Sequence, residues 1–133
     1  MSRKVFINLP VADLPAAKAF YVQLGFEINE QFTDDKGSCV VISEHIHVML
    51  LTHEFFSGFT PRPLSNAHQA TEVLVALSMD SREAVDEIVR RAQDAGGQAN
   101  GEPQDHGFMY AHSFMDLDGH IWEPLFLDEA AMA

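Results

Sequence analysis

One carboxylate stands out in the stretch "DLDGHIWEPLF" near the end of the chain. Glu123 lies in an apolar, strand-like run that directly follows an Asp-Gly turn. Ile121 and Leu125 share its face of a strand, because successive side chains of a strand point to opposite faces. An unpaired charge among apolar neighbours is costly. Glu123 could therefore act as a general base or bind a substrate cation; the alternative is an exposed acid at a strand edge.

A second group of candidates lies in "EPQDHGFMYAHSF", just before that stretch. His106 falls in a predicted turn and is a candidate acid or base, since imidazole titrates near neutral pH. Phe108 and Tyr110 could line or cover a bound ligand, and His112 shares the strand face of Tyr110. The alternative is a hairpin whose aromatic side chains pack in the core and whose histidine is satisfied by hydrogen bonds.

The elements that must position these residues occur twice along the chain. A strand-like "KVFINLPV" precedes a helix that Asp13 can cap, and "EVLVALSMD" precedes a second helix that Ser81 can cap. Three further strand-like runs follow each helix, among them "EINEQF" in the first half. The sequence therefore predicts an α+β fold of two βαβββ units in one domain, at residues 1–52 and 71–128, joined by a connector at 53–70.

Each predicted unit has an uncovered sheet face. One helix covers only one side of a four-stranded sheet, so the two units are expected to pair their sheets. The product would be a half-open barrel with a cleft.

Composition and charge exclude several classes of function. Acidic residues outnumber Lys and Arg by 20 to 8, and the net charge is −12 with His neutral. Proteins that bind nucleic acid or anionic membranes need clustered positive charge, so we expect neither partner and favour a small-molecule ligand. The start of the chain lacks the apolar core of a signal peptide, and no window reaches the roughly 18 apolar residues of a membrane span. We expect a cytoplasmic protein.

The two halves together resemble a known superfamily. The repeated βαβββ order, "LPVADLPAAKAFYVQLGFE" near the start and "DLDGHIWE" near the end resemble the glyoxalase, bleomycin-resistance and extradiol-dioxygenase superfamily, also called vicinal oxygen chelate proteins. Within it the chain looks most like the group of predicted lactoylglutathione lyases. The resemblance implies a cleft between paired units and, often, a homodimer.

The resemblance also implies where a metal ion would sit. Members with a metal take one ligand from the first strand and one from the last strand of each unit. In this chain those positions are Phe6, Leu50, Leu74 and Glu123, with Asn8 as the polar side chain on the face of Phe6. Only Glu123 can bind a hard divalent ion. We therefore expect no cofactor and a cleft lined by Phe6, Asn8, Leu50 and Leu74, with a divalent metal as the disfavoured alternative.

His45 and His47 alternate on one face of a strand. This spacing can supply two metal ligands when a third converges on them. Both have the opposite parity to Leu50, so the resemblance implies that they point away from the cleft. We expect a hairpin or surface role for them.

Two functional hypotheses follow. The first is a lyase or isomerase acting on a carbonyl compound, with Glu123 as base or substrate ligand and His106, Tyr110 and His112 nearby. The second is a non-catalytic binding protein that sequesters a cationic ligand, like the bleomycin-resistance members. Its acidic charge and the aromatic residues Phe6, Phe108 and Tyr110 suit that function.

A third arrangement would build a metal site from other donors. Glu123 would combine with Glu72, two residues before Leu74 on the same strand face, and with a histidine from a loop or a partner subunit.

Overall fold

The computed structural model describes residues 2–132 and contains two compact units, Met1–Asn66 and Ala67–Ala133. Each unit has one open, four-stranded mixed sheet with helices. The predicted α+β class and the repeated βαβββ order are therefore confirmed. No helix within residues 2–132 is both long enough and apolar enough to cross a membrane.

The first unit is built around a sheet of order β1-β4-β3-β2. Its elements are β1 (Val5–Val11), α1 (Leu14–Gln23), β2 (Glu27–Asn29), β3 (Gly37–Val41), β4 (Ile46–Thr52) and α2 (His53–Ser57). β1 runs parallel to β4, and the other neighbouring strands are antiparallel. α2 lies in the segment predicted as a connector.

Helix α1 begins where the sequence predicts. The Asp13 carboxylate accepts a hydrogen bond from the Ala16 amide at 3.1 Å, which satisfies a backbone donor that the helix itself cannot pair. Phe20 and Tyr21 are buried on the apolar side of the helix, which contacts β3 and β4. This packing leaves the other face of the sheet free of α1.

The predicted strand "EINEQF" is only half right. β2 ends at Asn29, and the chain continues as a turn of 3₁₀ helix over Glu30–Phe32. The Asn29 side chain accepts a hydrogen bond from the Gln31 amide at 3.0 Å. Asparagine side chains offer the backbone this local alternative to strand pairing, and here the alternative wins.

The second unit repeats this topology with the order β5-β8-β7-β6. Its elements are β5 (Leu74–Ser78), α3 (Arg82–Asp94), β6 (Gln98–Asp105), β7 (Met109–Met115), β8 (Ile121–Leu127) and α4 (Glu129–Met132). β5 runs parallel to β8, as β1 does to β4.

Helix α3 covers one face of the second sheet. The Ser81 hydroxyl caps it by accepting a hydrogen bond from the Ala84 amide at 3.0 Å, as predicted. Its buried side chains are Val85, Ile88, Val89 and Ala92, and it contacts β7 and β8. Phe114 and Trp122 are buried with their rings stacked. Burial of each large apolar side chain contributes about 1.5–3 kcal/mol, which fixes α3 against this side of the sheet.

The turn before β8 is set by Asp116 and Gly119. The Asp116 carboxylate accepts hydrogen bonds from the amides of Asp118 (3.0 Å) and His120 (2.9 Å). Gly119 has φ +86°, and a Cβ placed there would lie 2.8 Å from the backbone nitrogen of His68. The predicted turn chemistry is confirmed, and this turn fixes where β8 begins.

We predict that Gly119→Ala destabilises the protein far more than Gly107→Ala. Gly107 has a similar φ of +81°, but nothing lies within 4 Å of its added Cβ. Gly107→Ala should cost about 1 kcal/mol from backbone strain alone. Gly119→Ala should cost at least about 2 kcal/mol more, because the backbone beside it must move. Equal losses in urea unfolding of the two variants would contradict this account of the turn.

Candidate functional site

Glu123 lies on the sheet face that α3 leaves uncovered. In the β5–β8 pairing Glu123 is opposite Ala76, and Leu74 is opposite Ile121. Paired residues project from the same side of a sheet. We call this surface the Glu123 face; its members are Leu74, Ala76, Ala111, Ser113, Ile121, Glu123 and Leu125. The predicted common face of Leu74 and Glu123 is confirmed, and Leu74 is 54% exposed.

The Glu123 carboxylate is partly buried. Within residues 2–132 it has no hydrogen bond and no ion pair with another side chain. Its neighbours along the strand, Ile121 and Leu125, are apolar and also partly buried. The geometry therefore presents a carboxylate on a mainly hydrocarbon surface, where it can accept a proton or a cationic group.

Ser113 and Asn100 add polar groups to the Glu123 face. The register between β7 and β8 places Ser113 opposite Glu123. The Ser113 hydroxyl donates to the Trp122 carbonyl at 2.9 Å, and the Asn100 amide donates to that hydroxyl at 3.2 Å. Sequence reasoning missed both residues, because only the pairing of β6, β7 and β8 brings them beside Glu123.

Tyr110 and His112 lie on the other face of this sheet. Tyr110 pairs with Phe126, which has the parity of Trp122, so its side chain projects toward α3. The Tyr110 hydroxyl donates to the Asp86 carboxylate of α3 at 2.5 Å. His112 Nε2 lies 3.1 Å from the Gly101 carbonyl oxygen. The expectation that both residues lie beside Glu123 is wrong, because strand alternation separates them.

His106 and Phe108 are exposed in the turn between β6 and β7. The Phe108 carbonyl accepts a hydrogen bond from the Asp128 amide at 2.8 Å, which aligns this turn with the end of β8. Glu123 lies five residues earlier, about 17 Å along the strand at 3.3–3.4 Å per residue. The expected proximity of His106 to Glu123 is therefore also wrong within this unit.

Arg82 ties that turn to the beginning of α3. Its guanidinium donates to the Asp105 carboxylate and to the Gly107 carbonyl, both at 2.9 Å. It also lies 5.4 Å from the centre of the Tyr110 ring. The Gly107 amide, and then Arg82, lower the pKa of Asp105 by hydrogen bonding to its charged form. Through these contacts Arg82 holds the turn between β6 and β7 against the first residues of α3.

The Asp86 carboxylate raises the pKa of Tyr110 to about 12, chiefly because the hydrogen bond between them favours the neutral phenol. Partial burial and the negative charges of Asp86 and Asp105 act in the same direction, and the charge of Arg82 opposes them. The hydrogen bond therefore stabilises the fold below about pH 10, where the phenol is neutral in folded and unfolded chains alike. That contribution is lost as the pH rises through about 12.

We predict that Asp86→Asn moves the alkaline titration of Tyr110 back toward its ordinary value of 10.0, because the charged acceptor is gone. Phenolate absorbance measures this titration, and Tyr110→Phe identifies the Tyr110 signal. Asp94→Asn is the matched control, since Asp94 lies on the same helix but pairs with Arg90. An unchanged titration in Asp86→Asn would contradict the assigned cause.

The first unit has a corresponding face, on the side of its sheet that α1 does not cover. Phe6 pairs with His47 and Asn8 with Met49 across the parallel strands β1 and β4. We call this surface the Phe6 face; it consists of Phe6, Asn8, Cys39, His47 and Met49. The rings of Phe6 and His47 stack with their centroids 4.7 Å apart.

His47 was misplaced by the sequence analysis. It lies on the face of Phe6 and Asn8, not away from it, and is only 8% exposed. Its Nδ1 atom is buried without a hydrogen-bond partner within residues 2–132. Buried ring nitrogens are usually paired, so this atom marks His47 as a polar feature of the Phe6 face.

Leu50 is also placed differently from the prediction. It pairs with Leu9 and is 0% exposed, in the core on the side of Val48 rather than on the Phe6 face. The parallel pairing starts with Val5 opposite Ile46, which gives Phe6 the parity of His47 and not that of Leu50. The error is one residue of register, which is enough to exchange the two faces of a strand.

The chain's own donors do not fit the metal site that the resemblance implies. Phe6, Leu50 and Leu74 offer only hydrocarbon, which leaves Glu123 as the single oxygen donor of the four positions. No group of three or more His, Cys, Asp or Glu side chains in residues 2–132 is arranged to hold an ion. The alternative site that adds Glu72 is not formed by these residues either: Glu72 lies before the first residue of β5 and belongs to no such group. A catalytic divalent ion normally takes three protein ligands.

The family model for the Glyoxalase/Bleomycin resistance protein/Dioxygenase superfamily matches residues 5–123, from the first residue of β1 to Glu123 in β8. This chain belongs to that superfamily. The predicted resemblance is thereby confirmed at the level of the superfamily. The name of the superfamily combines several functional classes, so membership alone does not identify one of them.

Solved structures of other proteins are similar over nearly the whole chain. Hypothetical protein SA1046 from S. aureus is 32% identical with a TM-score of 0.81, and the match covers 95% of each chain. A glyoxalase/bleomycin resistance protein/dioxygenase family enzyme from Burkholderia phytofirmans PsJN is 20% identical with a TM-score of 0.78, over 95% of this chain and 99% of that one. No curated protein matches.

A bleomycin resistance determinant encoded on the transposon Tn5 also has a similar structure. It is 19% identical with a TM-score of 0.66, and the match covers 96% of this superfamily member and 99% of that chain. At this identity the likeness concerns the fold alone.

Proposed function

We propose that this superfamily member binds a small organic cation on the Glu123 face, with the Glu123 carboxylate as the anchor and without a metal ion. The observation that carries the proposal is the partly buried carboxylate without a hydrogen-bond or ion-pair partner in residues 2–132. A ligand with a positively charged group would supply the missing partner.

The composition of the face suits such a ligand. Leu74, Ile121 and Leu125 offer apolar surface on both sides of the charge. An ammonium about 4 Å from a carboxylate gains about 4 kcal/mol at an effective dielectric of about 20, before the desolvation of both groups is subtracted. The hydrogen-bonded pair Asn100 and Ser113 can orient a polar group of the ligand beside Glu123. The charge of Glu123 would provide most of the affinity for the cation, and the pair Asn100 and Ser113 would select ligands with a polar group at the matching position.

Two further observations support a binding function. The net charge of −12 attracts cations toward the protein at long range. The Tn5-encoded protein of similar fold is a bleomycin resistance determinant, which shows that a protein of this fold can serve in drug resistance. Bleomycin, a cationic glycopeptide, is therefore a reasonable first probe.

A second candidate function is proton abstraction from a carbonyl compound, with Glu123 as general base. The observation in its favour is the Asn100 amide, which lies opposite Ser113 on the same face as Glu123; its second N–H could donate to a carbonyl oxygen as charge develops. Lactoylglutathione lyase activity belongs to this candidate. It is the weaker one, since His106, Tyr110 and His112 lie elsewhere and the donors do not fit the superfamily's metal.

We predict that Glu123→Gln weakens the binding of metal-free bleomycin by at least about tenfold, because it removes the charge and keeps the shape. Isothermal titration calorimetry measures the affinity of both proteins. Glu83→Gln on the exposed side of α3 is the control and should bind like the wild type.

Two outcomes would change this proposal. Equal affinity of the wild type and Glu123→Gln would remove Glu123 as the anchor. Mass spectrometry of the ligand after incubation separates the two candidate functions: unchanged ligand supports binding. Conversion of a carbonyl substrate, lost in Glu123→Gln, would support the second candidate.

A further inference from the structure

The first unit contains a groove that neither candidate function uses. It has a volume of about 510 Å³, within the range of small-molecule sites. We call it the Phe59 groove; its lining includes Asp35, Lys36, Thr52, Glu54, Phe55 and Phe59. All of these residues belong to the first unit, whereas Glu123 belongs to the second.

Two aromatic rings form a corner of this groove. The Phe55 and Phe59 rings lie 5.2 Å apart between centroids, at an interplanar angle of 89°. Phe59 is 71% exposed and Phe55 is 39% exposed, so the pair is not part of the core. Rings at right angles present a π face and an adjacent wall to the same small volume. A cation near such a face is attracted by the ring quadrupole.

The backbone around the corner is held in place. The Thr52 hydroxyl accepts a hydrogen bond from the Phe55 amide at 3.2 Å, which starts α2. The Gly58 amide donates to the Phe55 carbonyl at 3.1 Å, and the Phe59 amide donates to the Phe56 carbonyl at 3.0 Å. These bonds fix where the chain leaves α2, so the backbone position of Phe59 is set before a ligand arrives.

Two carboxylates, those of Asp35 and Glu54, also line the groove. Asp34 accepts hydrogen bonds from the Lys36 and Gly37 amides at 2.8 and 3.1 Å, which forms the turn that carries Asp35. The carboxylates of Asp35 and Glu54 have no hydrogen bond or ion pair within residues 2–132. With Lys36 counted, the lining carries a net charge of −1 at neutral pH.

From this combination we propose that the Phe59 groove binds a small organic cation with an apolar substituent, such as a substituted ammonium. The aromatic corner takes the methyl or methylene groups next to the charge, and Asp35 and Glu54 supply the opposite charge. A ligand of the same shape without charge would lose the carboxylate attraction and the cation–π attraction together. An anion would be repelled by Asp35 and Glu54 and attracted by Lys36 alone, so the net charge of the lining disfavours it.

The test uses the whole 133-residue chain with benzyltrimethylammonium as the probe, and backbone amide NMR shifts measure binding. Saturable shifts are expected at residues 35–36 and 52–59, while benzyl alcohol and phenylacetate should cause none of that size. Added NaCl should weaken binding, since the carboxylates are exposed to solvent.

Phe59→Leu should weaken probe binding by about fivefold, and Asp35→Asn by a similar factor. The matched controls are Phe32→Leu and Glu44→Gln in the same unit. Phe32 is 65% exposed and Glu44 lies at the surface, and neither lines the groove. Both controls should bind the probe like the wild type.

Three results would overturn the proposal. The first is the absence of saturable shifts at the groove with about 10 mM probe. The second is equal binding of benzyl alcohol. The third is probe-induced shift confined to residues 74–78, 109–115 and 121–127, which would assign the cation to the Glu123 face. That last result would leave the proposed function intact, so the failures of the two proposals are distinguishable.

Discussion

The parallel pairing of the first and last strands of each unit determines which side chains are available for chemistry. β1 pairs with β4 and β5 pairs with β8, and in each pair one parity faces the helix while the other does not. Trp122 and Leu50 thereby become core residues, and Glu123 and His47 lie on the faces away from α3 and α1. A shift of one residue in either pairing would exchange these roles. The candidate site is therefore a consequence of register more than of composition.

Local signals in the sequence were sufficient for the elements. The caps at Asp13 and Ser81 and the Asp-Gly turn before β8 each depend on neighbours in the chain, and all are confirmed. The exception is "EINEQF", where the Asn29 side chain bonds to the local backbone and ends the strand early. The repeat predicted the βαβββ order of both units, but the order of the strands within each sheet came from the structure.

Long-range pairing explains the errors at the site. The sequence shows that Tyr110, His112 and Phe114 share one face of their strand. It does not show whether that face is the one of Glu123 or the one of Trp122, because this depends on the pairing of β7 with β8. Likewise, the face on which His47 lies could be predicted only if its pairing with Phe6 were known. Ser113 and Asn100 gained interest only once β6, β7 and β8 were aligned. What remains on the Glu123 face is one carboxylate, one hydrogen-bonded polar pair and apolar surface, which favours recognition of a cation over multi-residue catalysis.

Metal content tests this account most directly. Wild type and Glu123→Ala would be offered nickel, zinc, manganese and iron, then freed of unbound ions and analysed by elemental mass spectrometry. The account predicts no stoichiometric metal in either protein, since Phe6, Leu50 and Leu74, at the other three positions that the resemblance implies, have no donor atoms in their side chains. Stoichiometric metal in the wild type that is lost in Glu123→Ala would contradict it. Glu123 would then be the ligand of a working metal centre rather than the anchor for an organic cation.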